Sequence, residues 1–274
     1  MNRHKRAHQL TTEIAAAYSR LSAVESVVLA GSQTTVYAGP TSDIDLYVYQ
    51  RTSIAIDDRR AIATASSSKS EVNNQFWETG DEWIDKATGI HVDVMFRMPA
   101  WIEDQLDRVL VRHEASLGYS TCFWYNVLTS QILFDRNGWF DALQQRANQP
   151  YPDTLLNRII EKNYAVLRRS MSAYHSQIVK AVKRKDWVSV NHRVSALLAS
   201  YFDIIFALNR LPHPGEKRLV EIAVAECTLL PADMYEQVNV MLEAGAGQGD
   251  VLRALDGLLN PLEVLLKTRG LLSG

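Results

Sequence analysis

The chain has only two cysteines, Cys122 and Cys227, far apart and in neither a C-x-x-C nor a zinc-ligand spacing. A disulfide framework and a structural zinc site are therefore not expected, and two reduced thiols are the plain reading, as in a cytosolic protein. An excess of one charge is also lacking. The 29 Lys and Arg stand against 31 Asp and Glu, a formal net charge of −2, whereas a dedicated nucleic-acid binder is usually basic overall. Nor is there an apolar run long enough to span a membrane, since the most apolar stretch, 194–208, is short and contains Asp203. The opening MNRHKRAHQLTTEIAAAY is basic but has no apolar core of the kind a secretory signal needs. A soluble, cytoplasmic protein without a membrane partner is the expectation.

At 274 residues and 47% hydrophobic content, the chain has material for two ordinary domains with cores. The stiff connector Gln149-Pro150-Tyr151-Pro152 marks the expected boundary, giving domains 1–149 and 150–274. Before it, helices and strands mix. Residues 9–21 read as an opening helix, and 54–68 as another, with Asp57, Asp58, Arg59 and Arg60 on a solvated turn. The stretch 69–89 reads as an acidic loop. In it Glu78, Asp81, Glu82 and Asp85 accompany the partly buried Phe76, Trp77 and Trp83 and are candidates to attract a cationic substrate. Pro99 opens a helix that ends in the cations Arg112 and His113, and 131–134 reads as a last strand before the turn Asp135–Gly138.

After the boundary, helical periods replace strand alternation. Ile159, Ile160, Leu167, Met171, Tyr174 and Ile178 suit one long amphipathic helix, and Val190 through Leu208 a second. Two further helical patterns flank the glycine-rich break at 245–249. Charge is uneven here: from Arg158 to Arg218 twelve Lys or Arg face four acids, +8 locally, so that the remainder totals −10. Such a swing predicts that this half meets something anionic, a triphosphate first and RNA as its competitor.

The stretch around which the rest is organised is VVLAGSQTTVYAGPTSDIDLYVY, Val27 to Tyr49. It reads as strand, loop, strand. In the second strand Asp43 and Asp45 point one way while Ile44, Leu46 and Val48 point the other. Two carboxylates about 7 Å apart along a strand repel one another unless a cation sits between them, and hard oxygen ligands suit Mg²⁺. Upstream, Gly31 lets backbone approach a phosphate closely and Ser32 offers a hydroxyl and an N–H. The second acid-bearing strand is GIHVDVMF, Gly89 to Phe96. There Ile90, Val92, Val94 and Phe96 line one side and His91, Asp93 and Met95 the other.

Gly31-Ser32, a spacer, and Ser42-Asp43-Ile44-Asp45-Leu46 resemble the signature of the DNA polymerase beta-like nucleotidyltransferase superfamily, which includes antibiotic-modifying and other small-molecule adenylyltransferases. The resemblance covers roughly residues 10–140 firmly and the helical half loosely. Within it, the segment 209–218, with Asn-Arg, Pro-Gly and Glu-Lys-Arg, looks like that of a bacterial subgroup. It implies an α+β fold, a mixed sheet with helices followed by an all-α bundle domain. It also implies a third metal acid, for which Asp93 is the candidate. Mg²⁺ held by Asp43, Asp45 and Asp93 would then act on ATP or another triphosphate bound at Gly31, Ser32 and Ser42, with transfer to a hydroxyl acceptor such as an aminoglycoside-like antibiotic. In similar enzymes the acid corresponding to Asp93 also accepts the acceptor proton. Many relatives carry an Arg or Lys just after Gly-Ser, where this chain has Gln33, Thr34 and Thr35, so phosphate charge is expected to be met by Lys217 or Arg218. The alternative is an antitoxin-type or protein-modifying enzyme with a protein or RNA partner. Such antitoxins pair with helical RNases, whose Arg and His Arg169 and His175 distantly resemble.

Overall fold

The computed structural model describes residues 3–34, 43–76 and 78–272. The chain divides into two compact units, one made of residues 1–106 and 123–149, the other of 107–122 and 150–274. The architecture is α+β, with a six-stranded mixed sheet and its helices followed by helices alone.

In the first unit the helix α1 (Arg3–Ser19) leads into β1 (Val24–Ala30), a 3₁₀ turn (Gly31–Thr34) and β2 (Ile44–Gln50). Then come α2 (Ile56–Ser66), β3 (Ser67–Asn74), β4 (Gly80–Asp85), β5 (His91–Arg97) and α3 (Pro99–Leu110). The unit closes with α4 (Cys122–Thr129), β6 (Gln131–Asp135) and α5 (Trp139–Ala147). The strand order is β3-β4-β5-β2-β1-β6. All neighbours are antiparallel except β2 and β5, which run parallel with Asp45 opposite Asp93. Period-two alternation sends Ile44, Leu46 and Val48 of β2 and Val92, Val94 and Phe96 of β5 into one core with Leu10, Ile14 and Tyr18 of α1. The opposite face of the same strands carries Tyr47 and Tyr49, the latter packed against the rings of Trp139 and Phe140 in α5. Covered on both sides, β1 is buried at every position.

Three expectations change here. Residues 69–89 are not an acidic loop but largely a β-hairpin, β3 and β4, whose acids are sorted to two faces. Trp83 is fully buried, Phe76 is 82% exposed, and Trp77 lies outside the described residues. Arg59 is not on a solvated face: it is buried, with Nε and Nη2 donating to Asp81 at 2.9 and 2.5 Å and its guanidinium 4.0 Å from the Phe96 ring. Finally, α3 stops at Leu110, so Arg112 and His113 lie beyond its end, His113 with φ of 53°.

In the second unit α6 (Asp153–Tyr164) runs into a π-turn (Ala165–Arg169), then α7 (Tyr174–Lys183) and α8 (Trp187–Leu208). After these come α9 (Leu219–Glu226), α10 (Met234–Gly245) and α11 (Val251–Thr268). The single long helix expected through 159–178 is broken. The backbone turns extended at Ser170, and Met171 is 95% exposed instead of joining the apolar stripe. The segment 107–122 is tied to α6 and α8 by buried polar bonds. Asp203 of α8 accepts from Ser120 N at 2.9 Å, Ser120 Oγ at 2.6 Å and Asn163 Nδ2 at 3.1 Å, while Gly118 N donates to Asn163 Oδ1 at 2.9 Å. Gly118 has φ of 77°, and a Cβ there would stand 2.9 Å from the Ala199 side chain, so the close approach to α8 requires glycine. Burial pushes the Asp203 carboxyl up to about 6 despite these bonds.

Candidate active site

The site is built where β2 and β5 run side by side. Paired strands lie about 4.8 Å apart and in-register side chains share a face, so Asp45 and Asp93 stand next to each other across the ladder. The row continues outward, because Glu82 of β4 is opposite Asp93 and Glu71 of β3 is opposite Glu82. Burial, then Glu82, then Asp45 push the Asp93 carboxyl up to about 6, and His91 offsets this in part. Asn74 Nδ2 donates to Glu82 Oε1 at 3.1 Å, and His91 Nε2 lies 3.7 Å from Glu82 Oε2.

Gly31 belongs to this row through space. It has φ of 65°, and a Cβ built on it would lie 1.9 Å from Asp45 Oδ2. Hence the turn after β1 is glycine both because the backbone is left-handed there and because the Asp45 carboxylate occupies the volume a side chain would need. Thr34 Oγ1 closes the turn on the Gly31 carbonyl at 3.0 Å. Asp43 is exposed, one residue before β2. Ser42 and the side chain of Ser32 lie outside the described residues.

Beyond the acids, the same face turns aromatic. Arg97 of β5 is buried, its guanidinium 4.0 Å from the Tyr47 ring and 4.8 Å from that of Trp101, and it donates two 2.8 Å hydrogen bonds to Glu78. Glu78 is thus engaged by Arg97. Of the four acids first read as one group, Asp81 and Asp85 are buried and hydrogen-bonded, Asp81 to Arg59 and Asp85 to Thr88. Glu82 alone joins Asp93. The alternation that sorts them was visible in GDEWID, but two of the inward positions are acids, which hides the strand from a reading that expects apolar residues inside.

The donor set is all oxygen, which fits a hard divalent cation such as Mg²⁺, and a cation would offset both the burial and the neighbouring carboxylates that raise Asp93. Among the described residues no three carboxylate, imidazole or thiol groups are close enough to hold a metal by themselves. Two carboxylates in register suit Mg²⁺, which is usually held by one or two carboxylates together with water and substrate phosphates.

The remaining expected residues lie in the helical unit. Lys217 and Arg218 are exposed at the end of the loop before α9, and Arg218 Nε lies 2.9 Å from Glu221 Oε2. Arg169 sits in the π-turn and His175 in α7, the latter with Nε2 3.3 Å from Asp256 Oδ1. Among the described residues no helix is long and apolar enough to cross a membrane.

A domain of unknown function, DUF4037, matches residues 124–218, from α4 to the loop before α9. No curated protein matches the chain. Among solved structures, the chain is similar to a nucleotidyltransferase-like protein from Exiguobacterium sibiricum 255-15, with 12% identity and a TM-score of 0.43 over 95% of this chain and 74% of that one.

Proposed function

We propose that this chain is a Mg²⁺-dependent nucleotidyltransferase that moves a nucleoside monophosphate, AMP from ATP, onto a hydroxyl of a small molecule. The observation that carries the reading is the in-register pair Asp45 and Asp93, with the Gly31 turn closed against the Asp45 carboxylate. Asp45 and Asp93 would hold the cation together with water and substrate phosphates, and Asp43, which forms no three-acid cluster with them among the described residues, is the third acid proposed from the motif. Bound there, Mg²⁺ supplies neutralisation of the charge developing on the α-phosphate and on the departing pyrophosphate. Asp93 is the proposed acceptor of the hydroxyl proton. N–H groups of the turn at Gly31 and Ser32, with Ser42, form the proposed phosphate cradle. Lys217 and Arg218 are the proposed counter-charges for the triphosphate.

The acceptor class implied by the resemblance is an aminoglycoside-like antibiotic, and the cytoplasm is the proposed compartment. The test is a panel of hydroxyl compounds and proteins offered to the enzyme with labelled ATP and Mg²⁺, reading transferred label and released pyrophosphate. Label on a small molecule, lost in Asp45→Asn, supports the reading. Label only on a protein would replace it with the protein-modifying alternative, and equal transfer by Asp45→Asn would remove the site.

A further inference from the structure

We infer that the helical unit carries a separate binding recess for a phosphorylated small molecule, on the exposed face of α6 and its π-turn. The recess has a volume of about 590 Å³ and is lined by His113, Glu114, Arg158, Glu161, Lys162 and Arg169, all within one unit. That volume is in the range of small-molecule sites and admits a nucleotide or a sugar phosphate.

Arg158 and Lys162, four residues apart on α6, share one face, and the π-turn brings Arg169 to the same recess. The orientation of the cations comes from segment 107–122. Arg158 Nη1 donates to the Arg112 carbonyl at 2.7 Å, and Lys162 Nζ to the Ala115 carbonyl at 2.6 Å. A carbonyl partner fixes a cation without cancelling its charge, so both remain available to an anion. Glu114 is matched by two cations, Arg112 Nε at 3.0 Å and Arg108 Nε at 3.6 Å.

Arg169 completes the wall. Its neighbour Arg168 is held by Asp256, Asn260 and Glu263 of α11, whereas the Arg169 side chain makes no hydrogen bond or ion pair among the described residues. It also lies in the single π-turn of the helix, and such turns occur frequently at functional sites. Acids decide between a compact ligand and a polymer. Glu161 faces the recess, and Glu263 lines the neighbouring one that shares Arg169, so a long polyanion laid along this surface would meet carboxylates on its path. A single phosphate group seated among Arg158, Lys162 and Arg169 would have three cations about it against the one unmatched carboxylate of Glu161.

The test is calorimetry on the full chain in EDTA, which withholds the divalent cation that the acid row would need. Inorganic pyrophosphate and AMP are the two probes. Saturable binding of either supports the site, tighter AMP binding assigning a nucleoside phosphate and tighter pyrophosphate an inorganic one. Arg169→Ala should weaken binding about tenfold and Arg169→Lys less, because the charge stays while the planar fork is lost. Asp45→Asn should bind as the wild type does. No saturable binding of either probe, or wild-type affinity in Arg169→Ala, overturns the proposal. Tighter binding of a single-stranded RNA, lost in Arg169→Ala, would overturn the small-molecule assignment.

Discussion

Two neighbouring residues of β4, Asp81 and Glu82, have opposite fates. Asp81 points into the core side, where Arg59 meets both of its carboxylate oxygens and the Asn73 N–H adds a third bond at 2.8 Å. Glu82 points to the other face, where its partners across the ladder are Glu71 and Asp93, and Asp93 in turn faces Asp45. On one face a carboxylate is matched by a guanidinium and serves the fold. On the other, burial first and then the neighbouring carboxylates push Asp93 up to about 6, an arrangement that costs stability.

Substitutions on the two faces should therefore separate stability from activity. The largest effect is on chemistry. Asp45→Asn should lower nucleotide transfer about a thousandfold or more, since metal neutralisation is worth several kcal/mol of the barrier. Its fold should be kept, read by circular dichroism and calorimetry without metal. Next comes Arg59→Ala, which leaves Asp81 buried without its guanidinium and should cost about 3–5 kcal/mol of stability in urea unfolding. Equal destabilisation by both variants would erase the distinction between the faces. Gly31→Val couples them. With φ of 65° and the Asp45 carboxylate 1.9 Å from a built Cβ, it should cost about 1–3 kcal/mol and weaken Mg-ATP binding at once.

Smaller effects sharpen the picture. Lys217→Ala should weaken Mg-ATP binding roughly tenfold to a hundredfold if that ammonium meets phosphate, as charge-assisted bonds are worth about 1.5–3 kcal/mol. Wild-type affinity would leave this loop as structure only. The smallest effect concerns pH. Because the folded pKa of Asp93 lies above that of the unfolded chain, its stabilising contribution is full below about pH 4 and is lost as pH rises through 6. In EDTA, Asp93→Asn should therefore gain on the order of 1 kcal/mol over wild type at pH 8 and almost nothing at pH 4, a figure reduced for the partial exposure of the group.

The acid-bearing strands were legible because their apolar rows are clean: Ile44, Leu46 and Val48, then Val92, Val94 and Phe96, fix which way Asp45 and Asp93 point. The hairpin β3–β4 was not legible. Its inward positions include Asp81 and Asp85, and the Arg59 that neutralises Asp81 comes from a helix 22 residues earlier in the chain. The break at Ser170–Ala173 was hidden for a related reason, since Met171 and Tyr174 kept the helical period although Met171 is exposed. Nothing in local pattern marks 107–122 as part of the helical unit either. Its ties include the polar bonds of Gly118 to Asn163 and of Ser120 to Asp203, partners that lie 45 and 83 residues away.

The central claim, that the carboxylate row is a metal and nucleotide site, is tested most directly by calorimetric titration of Mg-ATP into the wild type, Asp45→Asn and Asp93→Asn. The account predicts saturable, Mg²⁺-dependent binding in the wild type and a loss of at least tenfold in both variants, with the fold intact by circular dichroism. Unchanged Mg-ATP affinity in the two variants would contradict it.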